Sequence, residues 1–370
     1  MHRITALDGL RGLAALTVLV HHSLLLFPAL AEPHYSSEPA RFGSLEWLAV
    51  HTPIHALWEG KAGVYVFFVL SGFVLTLPAL TPRGYDWRRY YPRRLLRLYL
   101  PVWAAVVFAA ATILLVPRSE EVSSLWLDER PRSITFMALV RDLTLVAGNG
   151  GLASPLWSLT WEILFSLALP LVIWVAFKFR PAHGVLAALS IAVTTAGGIF
   201  HESALMYPPM FLLGVILAMR QEQISRWFSR ANRSVWIALL IFGVFAVSVR
   251  WLIMAFGAPG FLLGATTGIM LVGATLFVVM ALEWSAARRF LQIAPLRTVG
   301  RVSFSLYLVH EPIIVAAGFA LPRDPLLAAV AAVVATALVT PIFYVAVEKP
   351  SIRLARAVGS IRPRVQPEPA

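Results

Sequence analysis

Residues 262–282 read LLGATTGIMLVGATLFVVMAL, a run of 21 residues without a charged side chain. An α-helix needs about 20 mostly apolar residues to cross the hydrocarbon core of a bilayer. Together with the stretch at 262–283, similar stretches lie near 10–31, 61–81, 98–117, 155–177, 183–201, 204–219, 234–256, 299–321 and 326–347. We therefore predict an all-α, polytopic integral membrane helix bundle with about ten transmembrane helices.

The composition of the chain excludes most soluble classes of protein. Of its 370 residues, 59% are hydrophobic and only 14% are charged, whereas soluble domains carry about 25% charged residues. The net charge of +12 would otherwise favour nucleic-acid binding, but so apolar a chain cannot build the polar shell of such a protein. We expect the lipid bilayer to be a partner and nucleic acid not to be one. The chain has no cysteine, which excludes thiolate sites, and no metal site is predicted.

The distribution of basic residues predicts the orientation of the helices, because cytoplasmic loops carry an excess of lysine and arginine. With the N-terminus inside, 22 of the 31 basic residues fall in cytoplasmic segments and eight in outer ones, while Arg11 lies within the first span. Ten spans with both termini in the cytoplasm are therefore expected. Only three of the 31 are lysines, a bias typical of GC-rich bacterial genomes. We therefore expect a multi-pass protein of the bacterial inner membrane.

The domain organisation is predicted to be simple. One transmembrane domain covers residues 1–350, and a disordered, basic and proline-rich cytoplasmic tail covers 351–370. The segment 134–147 is too short to span a bilayer and is predicted to be an interfacial or re-entrant helix. The adjacent stretches 183–201 and 204–219 favour a tight hairpin of two spans over one long helix, with Pro208–Pro209 kinking the second.

The first span has an alternative interpretation as a cleavable signal peptide. A basic N-terminus followed by an apolar run and an Ala-Leu-Ala sequence is the arrangement of a secretory signal. The ionisable residues Asp8, His21 and His22 are unusual in a segment that is meant to be discarded, so a retained helix is favoured. N-terminal sequencing of the purified protein distinguishes the two, because cleavage would give a start at Glu32.

Several ionisable side chains lie inside the predicted spans, where they are costly and usually functional. Arg11 and His22 are eleven residues apart in the first span, which is about 16 Å and three helical turns, so they share one face. The fourth span places Glu162 in the outer third of the bilayer, and the ninth carries His310 and Glu311 to about 13–15 Å from its cytoplasmic end. Three helices thus place polar groups at similar depth. The alternative is a set of interhelical hydrogen bonds, each worth about 0.6 kcal/mol.

A second concentration of charge, residues 83–97, contains six arginines and leads into the third span. Its simplest interpretation is a topology signal lying on anionic lipid. Arg94 and Arg97, however, are spaced i,i+3 at the start of a helix and project together toward the bundle. Because the guanidinium group is suited to phosphate and carboxylate groups, this spacing predicts a basic inner pocket for a phosphorylated donor from the cytoplasm.

The same residues carry a resemblance to a known family. The motifs are LDGLRG (7–12) with an arginine eleven residues before a histidine (Arg11, His22), FFVLSGF (67–73), RLLR (94–97), WSL (157–159) with Glu162, and SFSLYLVH (303–310). Found together, in this order and at these positions in the spans, these motifs are a specific signature of one family. Over nearly its whole length, the chain resembles the acyltransferase family 3 of membrane O-acyltransferases.

The resemblance implies transfer of an acyl group, commonly acetyl, from a coenzyme A thioester to a hydroxyl group, by a protein of ten spans. The family's acceptors include cell-surface and extracellular polysaccharides, lipopolysaccharide sugars, Nod factors and macrolides. It also implies that Arg11 and His22 are the family's arginine and histidine, and Arg94 and Arg97 its arginine pair. Relatives with a fused secreted domain extend well past the tenth span, where this sequence soon stops. We therefore expect no such domain and no second, extracytoplasmic transfer step.

We predict a membrane O-acyltransferase that moves an acyl group, expected to be acetyl, from cytoplasmic acyl-CoA to a hydroxyl of a sugar, glycan or glycolipid. Its catalytic candidates are His22 as general base, with Glu162 and His310. Glu162 would either orient the imidazole or bind the sugar. The donor-binding candidates are Arg11, Arg93, Arg94, Arg97 and Ser71. Acyl-CoA is expected as a co-substrate, with no permanently bound cofactor, and both direct transfer and a covalent acyl-enzyme stay open.

A multi-pass transporter of a sugar, lipid or drug, with proton coupling through His22 and Glu162, is the alternative function. It lacks the support of inverted repeats, which the sequence does not show. Thioester cleavage by the purified protein separates the two functions. Five tryptophans could either stack on sugar rings of an acceptor or anchor helices at the interface: Trp47, Trp58, Trp126, Trp157 and Trp161.

Overall fold

The computed structural model describes residues 4–36, 39–82, 84–145 and 150–358. This part of the chain is a bundle of helices and contains no β-strand. Its principal helices are α1 (Thr5–Leu24), α2 (Gly60–Thr76), α3 (Trp87–Leu115), α4 (Leu156–Lys178), α5 (His183–Phe200), α6 (Pro208–Met219), α7 (Arg233–Met254), α8 (Gly260–Glu283), α9 (Ser303–Ala320), α10 (Pro325–Phe343) and α11 (Lys349–Val358). Short helical segments lie at Pro28–Ala31, Glu32–His34, Leu45–Val50, Pro53–Leu57, Leu77–Leu80, Leu125–Asp128, Phe136–Thr144, Arg180–Ala182, Ser203–Met206, Gln221–Phe228, Ser285–Leu291, Ala294–Arg301 and Tyr344–Glu348.

The predicted polytopic helix bundle is confirmed. Within the described residues, eight helices are long and apolar enough to cross a membrane, and they correspond to predicted spans two to five and seven to ten. The sixth span, Ser203–Met219, meets the same criterion only together with Gln221–Phe228, from which it is bent by 72°. The first span is α1, which is 20 residues long but less apolar because it carries four ionisable residues. By length and composition the count is therefore eight or nine, where ten spans were expected.

The predicted hairpin after α5 is present, but its prolines act differently from the expectation. Helix α5 ends at His201, which adopts the left-handed conformation with φ of 57°, and α6 returns along it. Pro208 occupies the first turn of α6, where its missing N–H removes no intrahelical hydrogen bond. The two prolines therefore start a helix instead of kinking one.

Helix α1 lies in the centre of the bundle and packs against α2, α8, α9 and the Ala294–Arg301 helix. Two glycines of the 7–12 motif allow the closest of these contacts. A Cβ atom on Gly9 would overlap the backbone of Leu291, and one on Gly12 would overlap the backbone of Leu296. Glycine at these two positions therefore allows the backbone of α1 to approach closely the segment that leads into α9.

The prediction of a disordered tail over 351–370 is wrong for its first part. Residues 351–358 continue α11, which is joined to α10 by the π-helical turn Tyr344–Glu348. Ser351 and Ala355 are buried, and α11 packs against α3. Packing of this small-residue face outweighs the polar composition that suggested disorder. The rest of the predicted tail, 359–370, lies outside the described residues.

The predicted short helix at 134–147 is found as Phe136–Thr144. Residues 146 and 147 of the predicted range lie outside the described part of the chain. Side chains of α3 hold its C-terminal end. Tyr99 Oη donates to the carbonyl of Thr144 at 2.6 Å, and Trp103 Nε1 donates to the carbonyl of Leu143 at 3.0 Å. Burial raises the pKa of Asp142 on this helix, although backbone N–H groups of the following loop oppose the shift.

The contact between α5 and α8 gives a test of the packing. A Cβ atom on Gly264 would overlap the backbone of Gly198, whereas one on Gly260, on the same helix, would meet nothing within 4 Å. Gly264→Leu should therefore lower the stability of the protein by about 2 kcal/mol or more, as expected for overpacking. Gly260→Ala is the matched control and should leave the thermal unfolding temperature in detergent nearly unchanged. Equal unfolding temperatures for the two variants would contradict this packing.

Candidate active site

Two connected cavities lie inside the bundle, an inner chamber of about 220 Å³ and an outer vestibule of about 640 Å³. Six residues line both cavities and mark their junction: Asp8, Arg11, Val74, Arg97, Arg301 and Glu348. The inner chamber continues between α2, α3, α4 and α9 along Phe67, Phe68, Ser71, Arg94, Leu98, Ser158, Glu162 and Tyr307. Five charged residues therefore lie at the junction, whereas Arg94 and Glu162 lie farther in, among aromatic and hydroxyl groups.

Glu162 connects three helices at the wall of the inner chamber. Its carboxylate forms an ion pair with Arg94 of α3, and it accepts a hydrogen bond of 2.8 Å from Ser71 Oγ of α2. Arg94 Nε also donates to Ser166 Oγ of α4 at 2.9 Å. Since the side chains of Arg94 and Glu162 are each only 12% exposed, the two opposite charges compensate one another where neither could stay alone.

Arg97 follows Arg94 by about one helical turn and lines both cavities. Within the described residues it forms no salt bridge, so its guanidinium group is available to a ligand. Arg11 of α1 lines the same junction.

Arg93, in contrast, is exposed on the outer face of α3 and lies outside the lining of both cavities. Around the helix Arg93 points about 100° away from Arg94 but only about 40° away from Arg97. What separates Arg93 from Arg97 is its position along α3, because Arg97 lies one turn farther on, at the level of the cavities. The structure thus separates Arg93 from the donor-binding group to which the sequence analysis assigned it.

His22 and His310, two of the catalytic candidates, lie next to each other in the structure. His22 Nδ1 lies 2.9 Å from His310 Nε2, and His310 Nδ1 lies 3.1 Å from the carbonyl oxygen of Leu306. A carbonyl only accepts, so His310 must donate from Nδ1, and in its neutral form its Nε2 then carries a lone pair. That lone pair accepts the N–H of His22 Nδ1. The chain of hydrogen bonds leaves His22 Nε2 as the nitrogen that is free to take a proton.

Tyr307 connects the histidine pair with the inner chamber. It lines the chamber, its hydroxyl is 2.7 Å from Ser158 Oγ, and its ring centroid is 5.8 Å from that of His310. Among the described residues that line the two cavities, neither His22 nor His310 appears. The histidine pair therefore lies behind Tyr307, at the inner end of the chamber.

The predicted site residues form two groups in place of one. Glu162 has Ser71 and Arg94 as its hydrogen-bond partners in the described structure, so His310, and not Glu162, orients the His22 imidazole. The reason lies in α3, which begins at Trp87, eleven residues before the predicted start of this span. Because the helix already includes Arg94, this side chain is directed into the bundle, where it pairs with the carboxylate of Glu162.

A loop helix covers the histidine pair on the side away from the cavities. The Trp126 ring stacks on His22 with centroids 5.7 Å apart, and Arg130 lies over the same indole at 5.1 Å. Arg130 also reaches Glu311, with 3.4 Å between Nη1 and Oε1. Of the five tryptophans considered as sugar platforms, Trp126 is thus the one that contacts a candidate catalytic residue, and it is buried.

More histidines extend from this pair toward the outer loops. The rings of His21 and His22 are 5.2 Å apart, His21 Nδ1 lies 3.0 Å from the carbonyl oxygen of Trp58, and His55 contacts Glu59 at 3.2 Å. Trp58 is buried among these rings, so it does not offer a free face to a sugar. Within the described residues, no group of three or more His, Asp or Glu side chains is arranged to hold a metal ion.

Several residues that line the site were not predicted from the sequence. Tyr307 lies one turn before His310, and this i,i+3 spacing is the signal that places both on one face of α9. Glu348, whose carboxylate accepts hydrogen bonds from the backbone N–H and Oγ of Ser305, had a weaker signal as an acidic residue beside the last apolar stretch. The basic residues of α11 were assigned to a disordered tail.

Comparison with known proteins identifies the family. The fold and the site define a polytopic membrane protein in which a basic cavity ends close to a buried histidine pair. The sequence model of the Acyltransferase domain family matches residues 4–345. The chain therefore belongs to this acyltransferase family, as its motifs predicted. No solved structure gives a significant match.

Relatives of known name are distant. The chain is 24% identical to O-acetyltransferase OatA of Staphylococcus aureus over 94% of its own length and 57% of that protein, so it spans little more than half of OatA. It is 26% identical to acyltransferase MdmB of Streptomyces mycarofaciens, over 84% of this chain and 79% of MdmB. It is also 26% identical to O-acetyltransferase PaAT-1 of Phomopsis amygdali, over 87% of this chain and 74% of PaAT-1.

Because the Arg94–Glu162 pair lies inside the bundle, removing one partner should lower the stability of the protein more than breaking a surface ion pair does. Glu162→Ala leaves the Arg94 charge inside the bundle without its partner, and should destabilise the protein by about 3 kcal/mol. The double variant Arg94→Met with Glu162→Ala should recover part of this loss, because no charge stays buried. Glu121→Ala, which removes the partner of exposed Arg323, should change stability by less than about 1 kcal/mol. Thermal unfolding in detergent measures all three, and no recovery in the double variant would contradict the pairing.

Proposed function

We propose that the protein is a membrane O-acyltransferase that moves an acetyl group from acyl-CoA to a hydroxyl of a sugar, glycan or glycolipid. One observation carries the proposal. The basic cavity, with Arg11 and Arg97 at its junction, leads to Tyr307, and behind Tyr307 the His22–His310 pair holds an imidazole nitrogen free to accept a proton. A cationic site for the phosphates of acyl-CoA, and a general base for the acceptor hydroxyl, suit acyl transfer from this donor.

The names of the relatives support the choice of acyl group and of acceptor atom. OatA and PaAT-1 are both named O-acetyltransferases, and MdmB is named an acyltransferase. We infer an acetyl donor and an oxygen acceptor for this chain from that agreement. A sugar-containing acceptor is the part of the proposal that follows from the motifs described above.

The orientation of the bundle is part of the same proposal. The vestibule opens among the basic residues that the positive-inside rule assigns to the cytoplasm, which is where acyl-CoA is available. With both termini in the cytoplasm of a bacterial cell, the donor enters from inside. The protein then belongs in the inner membrane, and acyl-CoA acts as a co-substrate that leaves as free CoA after each turnover.

Donor binding is assigned to the guanidinium groups that face the junction. Arg11 and Arg97 line both cavities and suit the diphosphate of CoA, because a guanidinium fork binds two phosphate oxygens at once. Arg94 and Ser71 contribute differently, since Glu162 already engages both. They form the wall along which the pantetheine arm passes to the inner chamber.

The reaction follows from the free nitrogen of His22. Its Nε2 removes the proton of the acceptor hydroxyl while the oxygen attacks the thioester carbonyl. The C–S bond then breaks, the acetyl group stays on the acceptor oxygen, and the proton passes from His22 to the thiolate to give CoA. His310 acts as a positioning residue, because its bond to the Leu306 carbonyl selects the tautomer of both rings. No proton is gained or lost overall.

His22→Ala removes the proposed base and should lower kcat by about 10²- to 10⁴-fold. The measurement is release of free thiol from acetyl-CoA by purified protein in the presence of an acceptor polysaccharide or aminosugar. His201→Asn is the matched control, because His201 is exposed and Asn tolerates its left-handed backbone. Full activity of a folded His22→Ala protein would overturn the base assignment. Acceptor transport without thiol release would instead favour the transporter.

The two neighbouring arginines of α3 give a paired test of donor binding. Arg97→Ala should raise KM for acetyl-CoA about tenfold with a smaller change in kcat, because a charge-assisted contact to phosphate is lost. Arg93→Ala removes the same charge one turn earlier on α3, outside the lining of both cavities, and should leave KM within about twofold. A similar rise in both variants would point to a general electrostatic effect and not to a site.

A further inference from the structure

Helix α11 presents a row of basic side chains to the outer vestibule. Lys349, Ile352, Arg353 and Arg356 all line this cavity, and their spacing of three, four and seven residues places them on one face of the helix. The opposite face carries the buried residues Ser351 and Ala355, by which α11 packs against α3. The basic row is therefore held in place by packing and is not a mobile tail.

The vestibule as a whole is strongly basic. Six basic residues line it, Arg11, Arg97, Arg301, Lys349, Arg353 and Arg356, against two acidic ones, Asp8 and Glu348. In the described part of the chain, none of the three basic residues of α11 forms a salt bridge, and Glu348 is engaged by Ser305. A concave surface with this charge excess is suited to a ligand with several negative charges.

Coenzyme A carries two separate anionic groups, the diphosphate that links adenosine to pantetheine and a phosphate monoester on the ribose 3′ oxygen. The cavities also have two basic regions, one at the junction and one farther out on α11. If the diphosphate lies at Arg11 and Arg97 with pantetheine directed inward, the adenosine end must lie in the larger vestibule. The α11 row then faces the part of the donor that carries the 3′-phosphate.

We propose that Lys349, Arg353 and Arg356 form a subsite for the 3′-phosphate of the donor and so select CoA thioesters over donors that lack this group. This inference rests on the proposed function. An anionic lipid headgroup offers the same chemistry, and the three side chains are exposed. They line, however, the same cavity as Arg11 and Arg97, which also line the inner chamber, so a donor bound there would meet them. We therefore commit to the donor phosphate.

The test compares acetyl-CoA with acetyl-3′-dephospho-CoA as donors for the full chain in phosphatidylcholine nanodiscs. The unmodified protein should prefer acetyl-CoA by about tenfold or more in kcat/KM, since each charge-assisted phosphate contact is worth about a factor of ten. Arg353→Ala with Arg356→Ala should bring this ratio close to one, mainly through KM for acetyl-CoA. Arg353→Lys should retain most of the preference, because it keeps the charge.

Arg289→Ala is the control, since Arg289 is exposed on a neighbouring segment and lines neither cavity. A ratio unchanged by the α11 substitutions, in a protein that releases thiol, would overturn the subsite and leave the proposed function standing. No thiol release and no binding of CoA would instead overturn the proposed function. If the α11 variants lose activity only in nanodiscs that contain phosphatidylglycerol, and equally for both donors, the row binds lipid and the proposal is wrong.

Discussion

A charge inside a bilayer needs a partner, and the ion pair between Arg94 and Glu162 is where this bundle meets that requirement. The pair and Ser71 join α2, α3 and α4 around the inner chamber. The next basic residue of the face, Arg97, forms no salt bridge in the described structure and lines the cavities. The same arginine motif thus supplies one residue that is held in an ion pair and one that faces the cavities.

The histidine pair, which contains the proposed base His22, lies close to this cationic cavity. A neutral chain runs from the Leu306 carbonyl through His310 to His22, so the orientation of the base depends on a backbone group and on no second charge. Tyr307 and its partner Ser158 lie between this chain and the chamber. On the other side, Trp126 packs on His22 under Arg130. The ion pair and the histidine pair are therefore separate networks, since Arg94 and Glu162 lie on α3 and α4 whereas His22 and His310 lie on α1 and α9.

Hydropathy was enough to locate most helices, because a span such as α8 is apolar along its whole length. Hydropathy failed where a helix carries charged residues whose partners lie on another helix. The start of α3 at Trp87, where Asp86 caps the helix, is hidden by arginines whose partner lies on α4. The contact between His22 and His310 spans 288 residues of sequence. Equal depth in two spans could suggest that contact, but only the packing of α1 against α9 decides it.

The helical period, once the true helix boundaries are known, separates arginines that face outward from those that face the bundle. Arg93 and Arg94 are adjacent in sequence, yet one is exposed on the outer face and the other lies inside the bundle. On α11, the same period selects Arg353 and Arg356 for the vestibule, while Leu354 is exposed outside its lining. The positive-inside rule counts all of these arginines alike, because it depends only on the side of the membrane. A basic loop therefore becomes a binding site only where a helix continues into it and imposes a face.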